Sequence, residues 1–266
     1  MAEITVVKIG GNVVDNPVAL EHFAADFAAL PGRKILIHGG GKEATRLSAR
    51  LDIPTTMIEG RRVTSAETLD IVTMVYAGLV NKRVVASLQA NGCNAMGLSG
   101  VDGCVIPAVR RSPVPVDYGF VGDINPDNVN AGFIGSLLNA GIVPVFCALA
   151  YDREASTLLN CNADSVASAV AIAASRLATT SLTYCFEKDG VMADVENPDS
   201  LITSITPSSF AELKADGTVN GGMLPKITNA IAAVKSGLEC VRICRSDMLL
   251  SDRGTTISVP ADEAEC

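Results

Sequence analysis

The sequence predicts an α/β protein built on a mainly parallel sheet, and three observations carry that prediction. Short apolar runs of strand length alternate with longer helix-like segments along most of the 266 residues. Two early runs, 4–9 and 34–38, lead directly into glycine turns, as buried parallel strands do when they open onto a ligand or a helix. Hydrophobic residues make up 48% of the chain, ample for a real core and too many for a disordered segment.

Strands are expected near 4–9, 34–38, 93–98 and 142–147, with helices near 17–29, 42–51 and 65–90 between them. The long helix takes Thr64 as its N-cap, with Glu67 three residues on completing a capping box. Residues 104–125 break the alternation. Val105, Ile106 and Val109, then Tyr118, Phe120 and Val121, around Pro113 and Pro115, predict an antiparallel hairpin or flap. A helix near 127–140 follows, and Asn162 is a natural N-cap for the apolar helix 166–174. A second half begins near 177 with a strand at 181–186, a turn at Lys188-Asp189-Gly190 and a short strand at 191–192. Helices near 207–215 and 223–236 and strands at 239–244 and 254–259 complete it. Residues 260–266 read as an acidic, frayed tail. No internal repeat or linker divides the chain, so two lobes sharing one sheet are expected, meeting near residue 176.

The formal net charge of −8 argues against a nucleic-acid partner, whose phosphates would be repelled over most of the surface. No apolar run approaches the roughly 20 residues of a membrane helix, and no secretory signal opens the chain, so the cytoplasm is the expected compartment. The eight cysteines are scattered rather than framed as disulfides. Cys240 and Cys244 lack a second Cys or His pair, and the only histidines are His22 and His38, so no metal site is expected.

Three glycine turns carry the chemistry: Lys8-Ile9-Gly10-Gly11, His38-Gly39-Gly40-Gly41 and Gly221-Gly222-Met223-Leu224-Pro225-Lys226. Backbone without Cβ atoms brings several N–H donors close to phosphate oxygens, and a following helix adds its positive end. No P-loop, protein-kinase set or dinucleotide fingerprint occurs, so phosphate binding uses another architecture. Lys8 ends an apolar strand beside two glycines. It either snorkels to solvent or meets an anion, and the glycines favour the anion. Lys226 alone reads equally well as a solvated helix residue. Asp164 sits where it favours the helix dipole whatever else it does, whereas Asn160 lies outside the helix and needs another reason. Arg61 and Arg62, together in one short loop of an acidic chain, suggest a carboxylate clamp.

Gly60-Arg61-Arg62-Val63-Thr64, Val80-Asn81-Lys82, Gly119-Phe120-Val121-Gly122-Asp123 and Asn160-Cys161-Asn162-Ala163-Asp164 occur in one order with these turns. That order resembles the amino acid kinase superfamily and, within it, the N-acetylglutamate kinase (acylglutamate kinase) family, over nearly the whole chain to about residue 259. The resemblance implies a three-layer αβα sandwich in two lobes, residues 1–176 for the acylglutamate and the dimer and 177–259 for ATP. It implies ATP-dependent phosphorylation of the γ-carboxylate of an N-acyl-L-glutamate, with Mg²⁺. Lys8 and Lys226 would stabilise the transferring phosphoryl group, and Asp164 would organise them. Gly40, Gly41, Arg62 and Asn160 would face the acceptor. Lys8, Gly10, Gly11, Lys188, Gly190, Gly222, Met223 and Lys226 would face the nucleotide. A carboxylate acceptor is already ionised at neutral pH and needs no general base.

Three segments depart from the family pattern. Cys185-Phe186-Glu187-Lys188-Asp189-Gly190-Val191 replaces a Thr-Asp-Val or Ser-Asp-Val before the Gly-Val turn, Lys42 stands where many relatives have proline, and 242–253 lacks an Asp-Gly-Arg stretch. An acetyl group on the acceptor is expected first. A succinyl group is the alternative, its extra carboxylate meeting Arg61, Lys42, Arg110 or Arg111. Related carbamate, aspartate, glutamate and nucleotide kinases, and a catalytically dead sensor, are rival readings. Because Lys8 lies in the first strand, no N-terminal helix of the kind that links arginine-inhibited relatives into hexamers is expected. A homodimer insensitive to arginine follows.

Overall fold

The computed structural model describes residues 3–194, 196–197, 199–219 and 223–260. Gly222 and the tail from 261 onward therefore lie outside the described residues. In chain order the strands of the main sheet are β1 (Ile4–Ile9), β2 (Arg33–His38), β3 (Ala95–Leu98), β4 (Val143–Cys147), β5 (Thr180–Phe186), β6 (Ser204–Ile205), β7 (Cys240–Arg245) and β8 (Thr255–Ile257). They lie side by side as β6-β8-β7-β5-β1-β2-β4-β3, and only β7 and β8 pair antiparallel. The runs in β1 and β2 are apolar on both faces because helices cover both sides of the sheet. This is the mainly parallel α/β sheet that the alternating pattern predicts, in the αβα sandwich that the resemblance implies.

The helices are α1 (Pro17–Ala29), α2 (Gly41–Arg50), α3 (Ala66–Ala90), α4 (Ala131–Asn139), α5 (Ala163–Ser175), α6 (Pro207–Ala215) and α7 (Met223–Lys235), with a single turn at Gly11–Val14 before α1. Asn16 caps α1 by accepting from the amides of Val18 and Ala19, with Pro17 in the first turn where its missing N–H costs nothing. Alanine and valine dominate α5, and this small-residue surface lets it lie directly against β1 and β5.

β1 is flanked by β2 on one side and β5 on the other, so the chain winds outward in both directions from its carboxyl end. Such a switch point opens a crevice in a doubly wound sheet. The register sets Lys8 between Ile37 and Tyr184. The β1–β5 pairing also crosses the division expected near residue 176, so one sheet runs through both halves.

Several expectations change. The N-cap of α3 is Ser65, whose Oγ accepts from the Thr68 amide at 3.2 Å, not Thr64. Thr64 is buried and carries a parallel bridge to Gly119, which takes its hydroxyl out of the cap. The helix after the flap starts at Ala131 rather than near 127, because Asn130 accepts from the Phe133 amide. Arg61 and Arg62 lie on a small antiparallel pair, Met57–Ile58 with Arg61–Arg62, and not in a plain loop. A second hairpin, Leu149–Asp152 with Thr157–Asn160, escaped the sequence reading. The flap forms the expected antiparallel pair, Val109–Arg110 with Gly122–Asp123.

The helix α3 is long and apolar enough to cross a membrane by length and composition alone, a feature the reading of apolar runs passed over. Leu69, Ile71, Val72, Val75, Val80, Val84 and Leu88 along it are buried in the core. Its middle, Met74–Val80, is π-helical, a widening that re-aims the side chains it carries.

Candidate active site

The carboxyl end of β1 delivers Lys8 to the foot of α5, where its Nζ lies 2.7 Å from Asp164 Oδ1. The other carboxylate oxygen of Asp164 faces Lys226 Nζ at 3.8 Å. Asp164 reaches this point because Asn162 caps α5, accepting from the amides of Asp164 and Ser165 and setting the first turn toward β1. Two ammonium groups thus share one carboxylate. Burial holds the Lys226 ammonium below its usual pKa, the Asp164 charge opposes that shift and Lys8 adds to it. Phe186, at the end of β5, lies under both cations, with Lys226 Nζ 3.4 Å and Lys8 Nζ 5.4 Å from its ring centroid. The surplus positive charge, partly desolvated in an acidic protein, calls for an anion.

Glycine turns flank this centre. A Cβ at Gly10 would stand 3.9 Å from Lys8 Nζ, and one at Gly11 would meet Asp15 Oδ2 at 2.8 Å. Lys42, at the start of α2, extends its stem to 3.5 Å from the same point at Gly11, so it joins the first turn to the second. Gly40 precedes α2 in extended backbone, and a Cβ there would collide with the Tyr76 ring at 2.7 Å. Glycine is required at 40 by that close approach. The free amides of the first turn of α2 open on the same side as Lys8.

Two clefts meet here and share Gly60, Arg61 and Asn162. The first, about 210 Å³, is floored by Gly39–Gly41 and walled by Arg62, Tyr76 and Asn160. Arg62 is buried, and its guanidinium donates to Gly41 O (2.9 Å), Thr45 Oγ1 (2.8 Å) and Thr55 Oγ1 (3.3 Å). Asn160 is equally buried and donates to Thr64 Oγ1 at 3.0 Å. Arg61 faces both clefts and makes no ion pair among the described residues. The second cleft, about 450 Å³, is lined by Asp164, Tyr184, Phe186, Lys226 and Asn229. Asp164 and Lys226 line this second cleft close to Asn162, which both clefts share, and Lys8 is held against Asp164.

The profile of the Amino acid kinase family matches residues 3–244. The chain belongs to the amino acid kinase family. It is 48% identical over 255 residues to an acetylglutamate kinase of Phocaeicola vulgatus, covering 96% of this chain and 98% of that one. The fold is likewise that of the smu.665 protein of Streptococcus mutans (TM-score 0.76, 28% identity, 96% and 98% of the two chains). It is also that of carbamate kinase from Giardia lamblia (TM-score 0.70, 15% identity, 97% and 99%).

In this amino acid kinase the remaining sequence-derived candidates are placed differently. Lys188 is exposed and lines neither cleft. Gly190 is buried, and a Cβ there would strike Thr255 Oγ1 at 2.6 Å and Leu201 Cδ1 at 2.7 Å, so packing alone demands glycine. Met223 begins α7 and packs half-buried against the core. Phe186 and Tyr76 carry no role in the sequence reading, and Thr64 is read there only as a helix cap and a motif residue. Phe186 lies in the segment that departs from the family pattern, which was its one signal. Tyr76 looked like any aromatic in an apolar helix.

His38 is completely buried, and burial lowers its pKa from 6.5 to about 4. The folded chain therefore binds fewer protons than the unfolded chain between those values. Its stabilising effect is complete above pH 6.5 and is lost as pH falls through that window. Unfolding free energy should drop by about 3 kcal/mol from this group between pH 7 and 4. Denaturant titrations of the wild type and of His38→Asn should differ in slope over that interval. Parallel pH curves would show that His38 is not buried neutral.

Proposed function

We propose that this protein transfers the γ-phosphoryl group of ATP to the γ-carboxylate of an N-acyl-L-glutamate, N-acetyl-L-glutamate in the first instance. The observation that carries it is Asp164 holding Lys8 and Lys226 at the larger cleft, two residues from Asn162, which the smaller cleft shares. The similarity to acetylglutamate kinases supports the acceptor. In this reading the nucleotide lies on the side of residues 177–259, with its phosphates toward Gly10, Gly11 and the start of α7. The acylglutamate lies over Gly40 and Gly41, oriented by Arg62 and Asn160. The lysines offset the repulsion between a carboxylate and a polyphosphate, and the rest is positioning.

A carboxylate acceptor needs no general base. His38 faces away from both clefts and stays neutral, which suits an acceptor that is already ionised. Among the described residues no group of three metal-ligating side chains occurs, and the carboxylate of Asp164 is engaged by two lysines. The described residues thus offer no cage for Mg²⁺, and the ion would enter on the nucleotide's phosphates, where it would neutralise charge.

Arg61 favours a second reading, an acidic acyl group such as succinyl, because it lines both clefts and makes no ion pair among the described residues. ADP release from Mg-ATP, with acyl phosphate trapped as hydroxamate, separates the readings. N-acetyl-L-glutamate, N-succinyl-L-glutamate, glutamate, aspartate and carbamate form the panel. A hydroxamate from an N-acylated glutamate alone is expected. Greater efficiency with the succinyl compound would reverse the order, and no turnover with any acceptor would sink the kinase reading.

A cytoplasmic homodimer without a nucleic-acid partner belongs to the same proposal, motivated by the net charge and by Met74 and Leu79 exposed on α3. A solution mass of two chains, unmoved by arginine, is expected; a hexamer would refute it.

A further inference from the structure

His38 ends β2 immediately before the glycine turn and is bonded at both ring nitrogens. Nδ1 lies 2.7 Å from Gly39 O, and Nε2 lies 3.0 Å from Asn81 Nδ2. The neighbours decide which nitrogen holds the proton. Lys82 Nζ donates to Asn81 Oδ1 at 3.1 Å and to Gly97 O at 3.3 Å. An ammonium has donors only, so the amide oxygen of Asn81 must face Lys82 and its NH₂ must face the ring. Val145 O accepts from the same NH₂ at 2.9 Å and fixes the amide a second time. Nε2 is therefore an acceptor, and Nδ1–H donates to Gly39 O. A Cβ at Gly97 would fall 1.8 Å from Asn81 Oδ1, so the backbone of β3 leaves room for this arrangement only because residue 97 is glycine.

Across a trans peptide the carbonyl and the following N–H point in opposite directions. The one cis bond among the described residues is Val114–Pro115, so Gly39–Gly40 is trans. Anchoring Gly39 O to the His38 ring therefore turns Gly40 N–H away from that ring, and Gly39–Gly41 line the first cleft whereas His38 does not.

We propose that His38, held in its Nδ1–H form by Asn81 and Lys82, is a positioning residue that aims the Gly40 amide at the transferring phosphoryl group. The role of that amide rests on the phosphoryl-transfer reading, whereas the ring's tautomer does not. Burial that keeps the ring neutral supports the arrangement, since an imidazolium would offer Asn81 a second donor.

Two measurements test it. A long-range ¹H–¹⁵N correlation on labelled protein reads the ring directly, and with only two histidines the signal is assigned by its absence in His38→Asn. A protonated Nδ1 and a bare Nε2, unchanged from pH 8 to pH 5, are expected. A protonated Nε2 overturns the proposal whatever the activity. The second measurement compares His38→Asn, whose amide nitrogen falls near Nδ1, with His38→Gln, whose amide nitrogen falls near Nε2. The Asn variant should keep most of kcat, and the Gln variant should lose on the order of 10- to 100-fold with KM little changed. A role in packing alone predicts the reverse order, because Gln fills more of the space. Equal losses, or a loss carried in KM, would also overturn it.

Should neither variant fold, Lys82→Met on the exposed side of α3 frees the Asn81 amide to turn. It should mix the two tautomers and lower kcat, and an unchanged tautomer with unchanged kcat would refute the relay. Absence of turnover in the wild type would instead remove the kinase reading, and the aim of Gly40 with it, while the spectrum still decides the ring.

Discussion

Lys8→Met should lower kcat by on the order of 10²–10³-fold, the loss typical of removing one preorganised donor from a developing charge. Methionine keeps the unbranched stem and fills the space beside Phe186, so the fold should tolerate it. Lys8 is 8% exposed and its removal leaves the largely desolvated Asp164 Oδ1 without its cation, so the melting temperature should fall, with Lys226 on the other oxygen limiting the loss. Nucleotide binding should survive, because Lys226 and the glycine amides remain. The hydroxamate assay and a nucleotide titration together check this. A kcat within tenfold of wild type would remove Lys8 from the transfer step.

The second large effect is expected at Gly119, remote from the reacting atoms. Its φ of +73° lies in the left-handed region, and a Cβ there would stand 2.2 Å from Thr64 O. Strain and clash add, and Gly119→Ala should cost at least about 2–3 kcal/mol, roughly 5–10 °C in melting temperature for a chain this long. The consequence reaches the acceptor cleft through named bonds. Thr64 N donates to Tyr118 O and Phe120 N donates to Thr64 O, each at 2.8 Å, while Thr64 Oγ1 accepts from Asn160. Moving the 118–121 segment therefore displaces Asn160, and KM for the acceptor should rise more than KM for ATP. Gly141→Ala is the control. Its φ is +71° but nothing lies within 4 Å of the added methyl, so it should cost only about 1 kcal/mol from backbone strain. Equal effects from the two substitutions would show that the Thr64 contact is not what matters.

The contrast between these two glycines shows where the sequence stopped being legible. Both are ordinary turn residues in the string of letters, and only the position of Thr64, far away along the chain, separates them. The N-cap of α3 fails for the same reason. Thr64 and Ser65 are both good caps locally, but a bridge to Gly119 and a bond from Asn160 occupy Thr64, leaving Ser65 to cap. Phe186 under the lysines and Tyr76 beneath Gly40 were invisible because an aromatic in an apolar run carries no mark of what it faces. At Gly190 the letters of a Lys-Asp-Gly turn give no sign that Thr255 and Leu201 also demand the glycine.

By itself the sequence determined the parallel sheet, the glycine turns at the ends of β1 and β2, the start of α5 at Asn162 and the family. These depend on periodicity, on backbone freedom and on side chains that bond within four residues, all local quantities. The resemblance implied that Asp164 organises Lys8 and Lys226; the tertiary structure alone decided which hydroxyl caps α3 and which way the Gly39–Gly40 peptide faces. Each of those is settled by a contact between residues distant in the chain, and the free energy of such a contact exists only once the sheet has brought its partners together.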